Sequence, residues 1–276
     1  MATISKDLTI TSEGVYVVEL NAVPDGSTVT PVNDIQTWLH CAAIYDKNYT
    51  TIGQVIGDGT TFNALVQSAN AVNYMVRSTN WASSVAANNT AMIYVGANDN
   101  CSKSLLANTT WRSAICNSAY YRNVLTKRVP TMTSNTTPSG TCFASSNNDV
   151  AYGAFDGLSA WSQMKWAPNY EVPVWIGYDF GYSVEVARLD FNCGFVSNRG
   201  PDFSYTIQGS NDGVNYDPIF TDAIAASSMS INSYTSYTKF IPKNSGYRYW
   251  RMYSPNAMHS GNVWIILPDE IRFSGR

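Results

Sequence analysis

The chain has 276 residues, 45% hydrophobic and only 13% charged, with a formal net charge of −3. That length suits two or three compact units with buried cores, and a mildly acidic chain with scattered bases argues against nucleic acid as a partner. No apolar run approaches the roughly 18 residues of a membrane span, and residues 1–10 lack the basic start and apolar core of a secretory signal, so neither membrane insertion nor Sec export is expected. Charge divides the chain. Residues 1–58 carry seven acids against Lys6 and Lys47, residues 59–148 carry Asp99 against six bases, and residues 149–276 carry twelve acids against nine bases. The opposite signs of the first two segments favour contact between them, within one chain or between subunits.

Residues 1–60 read as a β-rich region. Val15 to Leu20 alternate around an apolar core, and Pro24-Asp25-Gly26 closes that strand with a turn. Thr28–Val32 and Trp38–Tyr45 are further strand candidates, the latter equally compatible with a helix. Residues 61–129 read as several short helices. Phe62, Leu65, Val66, Ala69, Val72 and Val76 recur at three- and four-residue steps, and Trp81, Val85, Met92, Leu105, Leu106, Trp111, Ile115, Tyr120 and Val124 extend the pattern. Asn80, Asn108-Thr109 and Asn117-Ser118 are candidate caps. Glu and Lys are nearly absent from the polar faces, which points to subunit contact there.

Residues 130–140, bracketed by Pro130 and Pro138, read as an extended linker or a first edge strand. Beyond them, 141–276 is strand-like. Val174, Ile176, Tyr178 and Phe180 share one parity, and Arg188–Phe191, Phe203–Gln208 and Tyr247–Met252 follow the same period of two. Asn211-Asp212-Gly213 is a strong turn signal. Short strands spaced in this way predict a mainly β domain, a jelly-roll β-sandwich. Cys41, Cys101, Cys116, Cys142 and Cys193 form neither a disulfide framework nor a zinc pattern and are expected as free buried thiols. The Asn-x-Ser/Thr triplets at Asn48, Asn88, Asn108 and Asn135 are expected to be ordinary polar Asn in loops and helix caps.

An ordered series of signatures runs through this half: Ala154-Phe155-Asp156-Gly157, Trp161, Pro173-Val174-Trp175-Ile176-Gly177-Tyr178-Asp179-Phe180-Gly181, Phe203 to Gly213, Tyr247-Arg248-Tyr249-Trp250-Arg251-Met252 and Glu270-Ile271-Arg272-Phe273. In order and spacing the series resembles discoidin domains, also called F5/8 type C domains, and family-32 carbohydrate-binding modules. A less specific resemblance covers residues 50–145. The helical Asn70-Ala71-Val72-Asn73-Tyr74-Met75 segment, Thr110-Trp111-Arg112-Ser113-Ala114-Ile115-Cys116 and Val129 to Gly140 are similar to tail-fibre-like and other virion proteins of bacteriophages and prophages.

The resemblance to discoidin domains implies a calcium site, with Asp156 and Glu270 as carboxylate ligands and Ser159 standing in for a Thr. The loop Asp156–Trp161 is shorter than the usual pattern and lacks its extra Asp or Asn. Six to eight oxygens are needed, so backbone carbonyls would have to complete the set. Without a metal, Asp156 would organise the turn and Glu270 would take a strand-edge hydrogen bond. The resemblance also implies a sugar site in loops at one end of the sandwich, which here hold Trp166, Tyr170, Asn198, Arg199, Asn256, His259 and Trp264. Aromatic rings stack on sugar C–H faces, while Asn, Arg and His hydrogen-bond hydroxyls. Trp166 and Trp264 suit core or subunit-contact positions equally well, and His259 suits a plain surface loop.

No catalytic motif is present: His40 and His259 are the only histidines and neither lies in a metal-binding spacing. The expected protein is therefore not an enzyme. It is expected on the virion surface after synthesis in the host cytoplasm. There it would dock to other virion proteins through residues 1–128, as a homo-oligomer, and present a module for cell-surface or mucosal glycans. The alternatives are a purely structural decoration or fibre subunit without ligand binding, and an accessory chain of a glycan-active enzyme.

Overall fold

A polar side chain recurs every ten residues from Asp58: Ser68, Ser78, Asn88, Asn98 and Asn108 follow, and each caps a helix. The computed structural model describes residues 35–158, 165–168, 173–196, 200–255, 259–260 and 263–276. The strands expected at Val15–Leu20 and Thr28–Val32 lie outside those residues. The described residues fall into two compact units, divided between Val124 and Leu125.

The first unit contains helices α1 (Ile35–Cys41), α2 (Ile52–Gly57), α3 (Gly59–Gln67), α4 (Ala69–Met75), α5 (Thr79–Ala86), α6 (Asn89–Ala97), α7 (Asp99–Ala107) and α8 (Thr109–Asn117). Its described part is helical, so the β-rich expectation for residues 1–60 fails over 35–57; Trp38 and Leu39 are buried in α1. Single residues join several of the helices. The Asn98 N–H donates to Val95 O at the end of α6, while its side-chain oxygen accepts from Cys101 N–H (2.9 Å) at the start of α7. Asp58, Ser68 and Asn108 serve two helices in the same way. Each has an extended backbone, the geometry an N-cap requires. Asn80 and Asn117 are not the caps; Ser78 and Ser118 hold the corresponding places in the period.

The apolar stripe is thus reset by a cap every ten residues rather than running on as one long helix. Burial follows the same period, falling on the third, fourth, seventh and eighth residues after the caps, as at Trp81, Ala82, Val85 and Ala86 or Cys101, Ser102, Leu105 and Leu106; only Val76, the eighth after Ser68, is partly exposed. Successive helices pack together from α2 to α4 and from α5 to α8. Each also packs on the helix three further on: α1 on α4, α2 on α5, α3 on α6, α4 on α7 and α5 on α8. Three helices therefore complete one turn of a short solenoid, whose core is shared between repeats. The Trp111 indole N–H donates to Met75 O (3.0 Å), tying α8 to α4. Gly96 takes an eighth position because a Cβ there would lie 1.8 Å from the Asn123 carbonyl oxygen.

The second unit is a two-sheet β-sandwich. Its strands are β1 (Lys127–Arg128), β2 (Thr141–Ala144), β3 (Val174–Val184), β4 (Val186–Val196), β5 (Phe203–Ser210), β6 (Asp217–Ile224), β7 (Ser230–Ile231), β8 (Thr235–Phe240), β9 (Tyr247–Ser254), β10 (His259–Ser260) and β11 (Val263–Gly275). One sheet has the order β2-β3-β9-β5-β6. The other runs β1-β11-β4-β7, with β10 on β11 and β8 on β4. Val174, Ile176, Tyr178 and Phe180 turn inward from β3 as their parity requires, meeting Phe191, Phe195, Tyr205, Trp250 and Phe273 in the core. All five cysteines are buried and none is in a disulfide.

Residues 130–140 are part of the sandwich, not a linker. Met132 is buried and its N–H donates to Phe155 O (2.9 Å), while the Asn135 side chain accepts from Tyr152 N–H (2.8 Å) and donates to Asn148 O. Two backbone groups and a core side chain are satisfied only because this stretch lies on the sandwich. Upstream of it, β1 pairs with the end of β11.

Candidate functional site

Strand register fixes which strand ends of the sandwich lie beside one another. Val174, where β3 begins, pairs with Ser254, where β9 ends. In the other sheet Val196, the last residue of β4, pairs with Trp264 of β11, which in turn pairs with His259 of β10. The end of β9 thus lies beside the start of β3, and the end of β4 beside the start of β11. The backbones of His259 and Trp264 are directly opposite one another. Tyr170, Asn198, Arg199 and Asn256 lie outside the described residues, as do the side chains of His259 and Trp264.

Trp166 is in the core. It is 2% exposed and its indole N–H donates to Ser146 O (3.1 Å). A ring with no open face cannot stack on a sugar, which corrects its assignment as a ligand contact. Its hydrophobic area holds the loop down onto the sandwich.

Beside it lies a cluster of charge. Asp156 and Glu270, expected as calcium ligands, are 8% and 6% exposed, and Asp269 is 3% exposed. Lys165 Nζ makes an ion pair with Asp156 Oδ2 at 2.6 Å, and Asp156 Oδ1 accepts from Leu158 N–H (3.0 Å). Glu270 Oε1 accepts from Gly157 N–H, and Glu270 Oε2 accepts from Arg272 Nη2 (2.7 Å) and Nε (3.2 Å). Glu270 takes a left-handed backbone (φ 56°) within a run of register shifts in β11. The bulge turns its carboxylate back towards the Asp156 turn. Calcium needs six to eight oxygens; three of the four carboxylate oxygens of this pair accept hydrogen bonds from the chain itself, and the fourth, Asp156 Oδ2, has the Lys165 ion pair as its contact rather than a hydrogen bond. The described residues do not fit a resident divalent ion; Ser159 lies outside them. Burial, then Glu270, then Asp156 push the Asp269 carboxyl up to about 7.

Residues 132–267 match the model of the F5/8 type C domain. The chain carries an F5/8 type C domain. No curated protein matches the chain. Among solved structures, it is similar to the family 32 module of NanJ from Clostridium perfringens, solved with galactose, at 14% identity over 54% of this chain and 99% of that one (TM-score 0.38). It is similar to CpGH89CBM32-5 of Clostridium perfringens, solved with GalNAc-beta-1,3-galactose, at 17% identity over 52% and 100% (TM-score 0.37). It is also similar to chitosan-binding module 1 of a Paenibacillus sp. IK-5 chitosanase/glucanase, at 23% identity over 50% and 95% (TM-score 0.36).

The F5/8 type C domain has one further polar cluster that residue patterns passed over. On the outer face of the β2-β3-β9-β5-β6 sheet, the Arg251 guanidinium lies 3.6 Å from the centroid of Tyr216, 5.2 Å from Trp175 and 5.6 Å from Tyr253. Its Nε donates to Gln208 Oε1 (2.7 Å). Register explains the meeting, because Trp175 pairs with Tyr253 while Gly177 and Gln208 flank Arg251. The signal was the shared parity of Tyr249, Arg251 and Tyr253 in β9. Stacking on several rings holds the guanidinium flat against the sheet.

Proposed function

We propose that this chain is a non-enzymatic glycan-adhesion protein of a bacteriophage virion. In this reading the F5/8 type C domain faces the host or mucosal glycan and the helical unit docks to other virion proteins. The observation that carries the adhesion half is the F5/8 type C match over residues 132–267. Supporting the virion half are the resemblance of residues 50–145 to tail-fibre-like proteins and a helical unit with few charges on its polar faces. Sugar contacts fall to Tyr170, Asn198, Arg199, Asn256, His259 and Trp264, with Trp166 assigned to the core. Such a site is shallow, and many copies on one particle make it effective by raising the local concentration.

The test is a glycan array probed with multivalent residues 125–276, followed by adhesion of whole virions to host cells. Binding lost in Arg199→Ala/His259→Ala while virion incorporation persists supports the reading. An array with no bound glycan would leave a purely structural subunit. Failure of the double variant to incorporate would move these loops to assembly.

A further inference from the structure

We propose that the Lys165 ammonium takes the place of the divalent ion at the Asp156–Glu270 pair, so that this F5/8 type C domain is stable without calcium. The geometry is that of a replacement. Lys165 Nζ lies 2.6 Å from Asp156 Oδ2, and that carboxylate is almost wholly buried. Gly157 N–H bonds Glu270 directly, closing the space between the two carboxylates with backbone, and Arg272 holds the outer oxygen of Glu270. Two single positive charges, Lys165 and Arg272, balance the charge of the two carboxylates, as one divalent ion would. Burying a carboxylate without such a partner is costly.

Lys165 is also held in place from its root. A Cβ on Gly153 would lie 2.4 Å from Lys165 Cβ and 2.9 Å from Trp166 N, so the glycine admits the 165–166 backbone against the Asn148–Phe155 turn. The next residue, Trp166, is pinned in the core through its bond to Ser146. On the other side, the ammonium lies 5.3 Å from the centroid of the Tyr152 ring. A lysine anchored at both ends delivers its charge to one point, which an unanchored surface lysine does not.

The experiment is thermal unfolding of the full chain in excess EDTA, in calcium chloride and in magnesium chloride, with metal content measured on the protein as purified. The wild-type midpoint should be the same in all three, with no calcium carried through purification. Lys165→Ala vacates Asp156, so its midpoint should fall by several degrees in EDTA and rise again with calcium, because an ion bound only by the folded state stabilises it. Lys165→Arg should keep a midpoint indifferent to calcium. A wild-type midpoint that falls in EDTA, or one calcium per chain in the purified protein, overturns the proposal without recourse to any variant. So does a folded Lys165→Ala chain that ignores calcium.

Discussion

Asp269 is nearly sealed from water, with its carboxyl pushed up to about 7 by burial, Glu270 and Asp156 in that order. In the unfolded chain an Asp titrates near 4. Below that pH both states are protonated and the group contributes nothing. As pH rises from about 4 to about 7 only the unfolded state ionises, so stability falls, and above that range the penalty is constant. The sandwich should therefore be more stable at mildly acidic than at alkaline pH by a few kcal/mol at most, and Asp269→Asn should flatten that slope. Denaturant midpoints at a series of pH values check it. Two thiols make a simpler case. Burial pushes Cys142 and Cys193 up to about 12, and the thiolate is the reactive form. Iodoacetamide at mildly alkaline pH should label neither in the folded protein and both in denaturant, as read by mass spectrometry. Trp166 is open to two readings in the sequence, core or sugar contact, because a lone Trp in a polar loop carries no periodicity. Its bond to Ser146 decides for the core. Trp166→Ala should cost about 3–5 kcal/mol, visible in the unfolding of residues 125–276.

Among the elements, the strands are legible in the sequence and the helical repeat is not. Inward parity marks β3, β5 and β9 from residue types alone, because a half-buried sheet imposes a period of two. The apolar steps of three and four around Phe62 and Val72 mark helix but hide the repeat. The informative period is ten, and it lies in the polar residues Asp58, Ser68, Ser78, Asn88, Asn98 and Asn108. Residues 38–45 are ambiguous because a short apolar run suits either element. The caps make a sharp prediction. Asn98→Ala removes the acceptor for Cys101 N–H and should cost about 1 kcal/mol, with Asn98→Ser or Asn98→Asp restoring most of it. Circular dichroism melts of the helical unit would show the difference. Gly96→Ala should destabilise more, since the Asn123 carbonyl must move to admit a methyl group.

For the molecule as a whole, the boundary between units is the practical point. The composition of residues 130–140 resembles a linker because Ser, Thr and Pro are common to connectors and to edge segments. Met132 and Asn135, through their bonds to Phe155, Asn148 and Tyr152, and Ser139, whose carbonyl accepts from the Tyr178 hydroxyl, tell the two apart. A fragment of residues 125–276 should fold with a single cooperative transition. One starting at residue 141 lacks Val129, Met132 and β1, and should be insoluble or melt far lower. Limited proteolysis of the full chain should likewise spare residues 130–140.

Shared caps make the length of the helical unit adjustable in fixed increments. Because one residue ends a helix and begins the next, ten residues can be added or removed at a cap without opening a loop. Three helices complete a turn, so an insert of one repeat should swing the end of the solenoid by roughly a third of a revolution. An insert of three repeats should restore the original bearing and only lengthen the reach. Duplicating residues 88–97 should thus give a soluble chain of higher helix content. Gene duplication would in this way change the length of the helical unit, and the bearing of its last helix, in fixed steps.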